Sequence, residues 1–115
     1  MTEADLIRLR SVLTELAPQG RAALLPALHL AQQFHGWLPE AVAAEVGRAL
    51  GVPLADVYGV IDFYQMFSRQ PMGRTVARVC NAPVCALAGA DEVTNALCRH
   101  LNVAPGEISS DGEFT

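Results

Sequence analysis

Hydrophobic residues in the first half of the chain recur at steps of three and four, which is the spacing of one face of an α-helix. The first such run follows the polar start at Thr2 and Asp5, which suit a helix cap and a helix first turn, and it ends near Ala17–Pro18. Its apolar positions are Leu6, Leu9, Val12, Leu13 and Leu16. The pattern predicts an amphipathic helix, with a hinge at Gln19–Gly20.

Three more helices are predicted, and proline and glycine mark their ends. They cover about residues 21–35, 40–50 and 53–64. Gly36 and Gly51 follow the second and third of these helices, where a left-handed residue ends a helix. Gly59 lies inside the fourth helix at a cost of about 1 kcal/mol relative to alanine, so we expect another helix to pack closely against it. Residues 1–68 are therefore predicted to form a small helical bundle.

The periodicity changes after the fourth helix. Residues 69–73 are predicted to be a linker, and residues 74–80 alternate between apolar and polar side chains as a strand does. A tight loop over residues 80–85 follows, and a fifth helix is predicted over about residues 87–101. The second half of the chain thus contains one predicted strand and one predicted helix.

The predicted fold class is α+β, with the helical bundle followed by the beginning of an α/β domain in residues 74–115. One strand cannot form a sheet, and even an isolated hairpin is only marginally stable in water. Phe114–Thr115 begins a further element that these residues do not finish. We therefore expect that the chain continues beyond Thr115, or that a partner completes the sheet.

Composition and charge narrow the classes of function. The 115 residues are 51% hydrophobic, which favours a folded core over general disorder. The net charge of −4 disfavours nucleic-acid binding, because such proteins usually carry a basic surplus. No apolar run is long enough to cross a bilayer, and the acidic N-terminus does not resemble a signal peptide. A cytoplasmic protein without direct membrane insertion is expected.

Cys80 and Cys85 form the main chemical motif, because they lie where the predicted strand ends and a helix begins. Two thiolates on such a loop can bind one iron of an iron–sulfur cluster. Backbone N–H groups at a helix start favour the negative charge of thiolates and cluster. By itself the spacing is a weak signal, because two cysteines five residues apart are more often ordinary thiols, so that alternative stays open at this point.

Cys98 lies in the middle of the predicted fifth helix, and we expect it to be a small buried apolar residue. A zinc site built from the three cysteines and His100 is disfavoured, because Cys98 and His100 are two residues apart and point to different faces of a helix. A thiol–disulfide role for Cys80 and Cys85 ranks last. The usual redox motif places its cysteines three residues apart, and here they are five apart.

The other ionisable residues singled out in the sequence are aspartate, arginine and histidine side chains. Asp62 is predicted to pair with an arginine at the surface of the bundle. Two interpretations remain open for the arginines around the predicted strand, namely a solvated face, or docking to an acidic partner and support of a reduced cluster. These arginines are Arg69, Arg74 and Arg78. His29 and His35, on the second helix, are expected to make packing or solvent contacts.

Ordered landmarks run through most of the chain, and they include Gly36-Trp37-Leu38-Pro39, Leu50-Gly51-Val52-Pro53, Val57-Tyr58-Gly59-Val60, Phe63-Tyr64, Pro71-Met72-Gly73, Val79-Cys80-x4-Cys85 and Asp111-Gly112-Glu113-Phe114-Thr115. Together they resemble the thioredoxin-like [2Fe–2S] ferredoxin subunit of bacterial NADH:quinone oxidoreductase, which is the E subunit of respiratory complex I. Related subunits occur in NAD-dependent formate dehydrogenases and in bidirectional hydrogenases.

The resemblance implies that residues 74–115 are the first part of a thioredoxin-like domain and that the full-length protein holds a [2Fe–2S] cluster. Cys80 and Cys85 match the first ligand pair of the family, and the second pair is expected beyond Thr115. The resemblance also implies an electron-transfer subunit that is not an enzyme on its own. Its implied partners are a flavin-bearing NADH-oxidising subunit and further iron–sulfur subunits, at the cytoplasmic face of the inner membrane.

A second hypothesis is a helical interaction or scaffold subunit of the same kind of complex, with no cluster in this chain. In that case residues 1–68 clamp a larger subunit and the cysteines are incidental. Trp37, Phe63 and Phe67 supply apolar surface for docking under either hypothesis.

Overall fold

A computed structural model describes residues 3–115, and it divides into two compact units between Pro71 and Met72. The predicted cap at Thr2 lies outside the described residues.

The first unit is helical throughout its regular structure. It consists of α1 (Glu3–Leu16), a 3₁₀ helix (Ala17–Ala23), α2 (Leu24–His35), α3 (Glu40–Leu50) and α4 (Leu54–Phe63). The predicted left-handed helix ends are confirmed, with φ of 97° at Gly36 and 69° at Gly51. The second helix begins later than predicted. Pro26 has no N–H to donate to an earlier turn, and a start at Leu24 keeps this proline within the first turn, where it is tolerated.

Aliphatic side chains from all four α-helices form one core in this unit. α1 packs against α2 and α3, and α3 also packs against α2 and α4. Burial of each such side chain contributes about 1.5–3 kcal/mol to stability. The largest fully buried side chains are Leu9, Leu13, Leu28, Leu38, Val46, Val57 and Ile61.

The close helix approach that was predicted at Gly59 occurs at Gly47 instead. Gly59 is exposed, and a Cβ atom placed there would have no neighbouring atom within 4 Å. Gly47 is buried on α3, where a Cβ atom would lie 2.7 Å from the carbonyl oxygen of Val52. The prediction was wrong because Val57 and Ile61 turn one face of α4 to the core, and Gly59 lies between them on the other side.

The second unit contains two helices, α5 (Pro83–Leu87) and α6 (Ala90–Leu101). A single helix was predicted over this region. The chain breaks it at Gly89, whose φ of 108° is left-handed and does not continue a helix. Asn102, also left-handed with a φ of 53°, ends α6.

The predicted strand over residues 74–80 is not confirmed. The segment is extended, but among the described residues it forms one isolated parallel bridge, between Thr75 and Phe114. The N–H of Thr75 donates to the carbonyl of Glu113 at 2.6 Å, and the N–H of Thr115 donates to the carbonyl of Thr75 at 3.0 Å. These few backbone hydrogen bonds do not make a regular strand, because a β-ladder needs a paired segment that continues over several residues. The described chain is therefore mostly helical.

Gly73 allows this pairing. A Cβ atom at Gly73 would lie 2.5 Å from the carbonyl carbon of Phe114, so a side chain there would push the paired segment away. The N–H of Gly73 also donates to the hydroxyl of Thr115.

Within residues 3–115, no helix combines the length and the apolar character needed to cross a bilayer.

Candidate functional site

Cys80 and Cys85 lie on the second unit, at the point where the extended segment leads into α5. Cys80 precedes the helix and is exposed, whereas Cys85 is the third residue of α5 and is half-buried. Pro83 occupies the start of α5, where its missing N–H costs nothing. The predicted loop between the cysteines therefore ends in a short helix, and this helix holds the second sulfur.

The two cysteine side chains are in hydrogen-bond contact with each other. The backbone N–H of Ala82 and the thiol of Cys85 donate to the sulfur of Cys80, and these bonds lower the pKa of Cys80. The same contact, together with some burial, raises the pKa of Cys85. The pair thus favours one thiolate beside one thiol. A bound metal favours the thiolate form of both, because only the deprotonated sulfur is a ligand.

Backbone N–H groups at the helix start were expected to support the thiolates, and the N–H of Ala82 is the one that does so at Cys80. Residue types alone did not show which N–H it would be, because a backbone donor leaves no trace in residue type. Pro83 was a signal in the sequence, because the residue before a proline is held in an extended conformation. Ala82 accordingly has a ψ of 157°.

Cys98 is apart from this pair. It lies on α6, is half-buried, and lines a cavity of about 350 Å³ with apolar neighbours that include Val79 and Leu101. The prediction of a fully buried side chain is thus only partly met. His100 is exposed. Across the described part of the chain, no group of three cysteine, histidine or acidic side chains converges as a metal site would require.

The predicted ion pair of Asp62 is confirmed, because Arg69 contacts its carboxylate at 3.2 Å on the surface of the first unit. Arg74 contacts Glu113 at 3.5 Å in the second unit. Arg78 is exposed and has no ion pair within residues 3–115. Two of the three arginines are therefore already paired within their own units, which leaves Arg78 as the free positive charge close to Cys80 in sequence.

The two histidines make the packing contacts that were predicted. The ring of His29 lies 4.7 Å from the ring of Phe67, and the ring of His35 lies 5.6 Å from that of Trp37. Neither contact involves a cysteine.

Comparison with known proteins identifies the family. The model of the thioredoxin-like [2Fe–2S] ferredoxins matches residues 10–115, which is most of the chain. The chain belongs to this family. The E subunit of NADH-quinone oxidoreductase from Pseudomonas aeruginosa is 39% identical over 95 residues, which cover 83% of this chain and 57% of the relative. Its counterpart from Escherichia coli (strain K12) is 41% identical over the same coverage.

A relative from another kind of complex also matches. NADP-reducing hydrogenase subunit HndA of Solidesulfovibrio fructosivorans is 39% identical over 101 residues, 88% of this chain and 59% of the relative. The chain thus spans less than two thirds of the length of these relatives. The resemblance stated from the sequence is confirmed, and so is the [2Fe–2S] cluster as the cofactor of this ferredoxin family.

The donor set at Cys80 and Cys85 fits half of such a cluster. A [2Fe–2S] cluster of this kind is held by four cysteine thiolates, two on each iron. The described residues bring two sulfurs into contact, which suits one iron, and they place Cys98 elsewhere. The second ligand pair expected beyond Thr115 remains a prediction.

Proposed function

We propose that this chain is the electron-transfer subunit of an NADH-oxidising multisubunit oxidoreductase, and that Cys80 and Cys85 bind one iron of its [2Fe–2S] cluster. The observation that carries the proposal is the mutual contact of these two sulfurs in a chain that belongs to a [2Fe–2S] ferredoxin family. When bound, the cluster supplies one-electron transfer.

The residues around the pair have defined parts in this proposal. Cys80 and Cys85 supply the sulfur ligands, and the Cys85 thiol gives up its proton on metal binding. The Ala82 N–H donates to the Cys80 sulfur and stabilises its negative charge. Such hydrogen bonds to sulfur, together with solvent exposure, are the means by which a protein adjusts the potential of a cluster. Because Cys80 is exposed, the pair is also accessible to a redox partner.

The proposed partners are a flavin-bearing NADH-oxidising subunit and further iron–sulfur subunits. The relatives support this, because each is named as a subunit of an oxidoreductase or hydrogenase. In this proposal the chain binds no NADH and performs no hydride chemistry, and it works on the cytoplasmic side of the membrane. The relatives from NADH-quinone oxidoreductase favour a complex of that type over the formate dehydrogenase type.

Cluster loading of single cysteine variants tests the proposal. The full-length protein is produced anaerobically with ample iron, and its iron, acid-labile sulfide, visible absorption and electron paramagnetic resonance are measured. We expect about two irons per chain in the wild type. Cys80→Ser and Cys85→Ser should each remove or alter the cluster spectrum, and Cys98→Ser is the matched control that should leave it unchanged.

Two results would contradict the assignment. An unchanged spectrum in Cys80→Ser would show that this sulfur is no ligand, and an equal loss in Cys98→Ser would show that the effect is not specific. A wild-type protein free of iron under these conditions would favour the scaffold hypothesis.

A further inference from the structure

Arg78 is the one charged residue close to the cysteine pair in the sequence. Between Arg74 and Asp91 the chain contains no other aspartate, glutamate, lysine, arginine or histidine, so the loop and α5, which hold both sulfurs, are otherwise uncharged. The guanidinium group of an arginine stays protonated in proteins. Arg78 therefore supplies the only permanent side-chain charge in this stretch.

The extended segment places Arg78 on the same face as Cys80. Ala77, Val79 and Asn81 line a cavity against α6, so alternate residues of the segment point toward that helix. Successive side chains of an extended chain point to opposite faces, which puts Arg78 and Cys80 together on the face away from α6. Both residues are exposed. Their Cα atoms are about 7 Å apart at the usual rise of an extended chain.

The charge of Arg78 is not taken up by the protein itself. Arg74, four residues earlier, contacts Glu113 at 3.5 Å, whereas the carboxylates of the described chain all lie outside ion-pair distance of Arg78. Asp91, the next acidic residue along the chain, lines the cavity on the α6 side of the extended segment, which is the face opposite to Arg78. The guanidinium group is therefore free to turn toward the sulfurs of the pair.

We propose that Arg78 raises the reduction potential of the cluster held at Cys80 and Cys85. This inference rests on the proposed function, which supplies the cluster. Reduction adds one electron to a group that is already anionic, so a nearby positive charge stabilises the reduced form more than the oxidised form. Charge, hydrogen bonds to the sulfurs and solvent exposure are the properties through which a protein sets this potential. Arg78 provides the charge, as the Ala82 N–H provides a hydrogen bond.

A charge series at position 78 tests the proposal. The full-length protein is loaded with its cluster, and the ratio of reduced to oxidised cluster is followed by electron paramagnetic resonance and visible absorption in a redox titration. In Arg78→Gln this ratio should fall about twofold to tenfold at a fixed ambient potential, since Arg78 is exposed and water weakens its effect. A tenfold change corresponds to about 59 mV for a one-electron couple. Arg78→Glu should lower the ratio by about the same factor again, and Arg78→Lys should stay close to the wild type.

Two controls separate an effect of charge from a change in packing. Arg99→Gln removes the same charge from the same unit, and Arg99 is exposed in the last turn of α6. It lies about 14 Å along the helix axis from the end that follows α5, so its loss should leave the potential close to that of the wild type. High salt should shrink the shift in Arg78→Gln, because the screening length falls from about 10 Å at 0.1 M to about 3 Å at 1 M salt.

Several results would overturn the inference. They are a wild-type potential in Arg78→Gln, an equal shift in Arg99→Gln, a shift in Arg78→Lys as large as that in Arg78→Gln, and a shift that high salt leaves unchanged. Loss of the cluster from both Arg78→Gln and Arg78→Glu would also overturn it, because Arg78 would then be needed to bind the cluster and not to set its potential. Failure of the proposed function would look different, because the wild type itself would show no cluster absorption.

Discussion

Replacement of two helical glycines by alanine should change stability in opposite directions. Gly47 on α3 and Gly59 on α4 both have ordinary helical backbone, because neither has a positive φ. In each case the substitution adds one methyl group and reduces the conformational freedom of the unfolded chain. Their surroundings differ, because Gly47 is buried and Gly59 is exposed.

The magnitudes follow from the neighbouring atoms. At Gly59 nothing lies within 4 Å of the new Cβ atom, so alanine should stabilise the first unit by about 0.5–1 kcal/mol. At Gly47 the Cβ atom would meet the Val52 carbonyl oxygen at 2.7 Å and Val57 Cγ2 at 3.2 Å. Overpacking of this kind costs about 1–3 kcal/mol. It also disturbs the bond from the Val52 N–H to the Gly47 carbonyl, which is 2.9 Å long and contributes about 1 kcal/mol.

The gain in helix propensity, about 1 kcal/mol, offsets part of these costs. Gly47→Ala should therefore lower the free energy of unfolding by about 1–3 kcal/mol. Urea unfolding followed by far-ultraviolet circular dichroism measures both variants against the wild type. The reasoning would be refuted if Gly47→Ala were as stable as Gly59→Ala, because the close approach of Val52 would then have no energetic consequence.

Two further predictions concern the parallel pairing and one ion pair. Gly73→Ala should displace the segment around Phe114, because the carbonyl carbon of Phe114 would lie 2.5 Å from the new Cβ atom. Amide hydrogen exchange in the paired residues should then become faster, and unchanged protection would count against the close approach. Hydrogen bonding to Arg10 holds the pKa of Glu45 below its ordinary value. The pair therefore stabilises the fold at pH values above the unfolded-state pKa of Glu45. This contribution is lost as the pH falls through the folded-state pKa. Glu45→Gln should therefore cost about 0.5–1 kcal/mol at neutral pH and less at about pH 3, and an equal cost in urea unfolding at both would contradict this.

Helix ends were predictable from the sequence because they depend on single residues. Gly36 and Gly51 end their helices as predicted, since a left-handed conformation is open to glycine whatever surrounds it. The start of α2 and the contact at Gly47 were not predicted. They depend on how a proline fits the first turn and on which face of α4 meets the core, and both are decided by packing.

The second unit was harder to predict for the same reason. The alternation of apolar and polar side chains over residues 74–80 indicates that the segment suits a half-buried strand. It does not indicate whether neighbouring strands exist to pair with it. At the candidate site, the contact between Cys80 and Cys85 follows from their short separation and the turn before Pro83. The part each would play as a ligand came from the resemblance. Support of the sulfurs by backbone N–H groups was expected from the sequence, and the structure identifies Ala82 as the donor to Cys80.

The pairing of residues 74–77 with residues 112–115 has a consequence for synthesis on the ribosome. The first unit closes within residue 71, so it can fold as soon as that stretch has left the exit tunnel. The segment that leads to Cys80 must wait until Phe114 has been translated before its backbone partner exists. During that interval both thiols are already present on the nascent chain, while the segment that leads to them has no backbone partner yet.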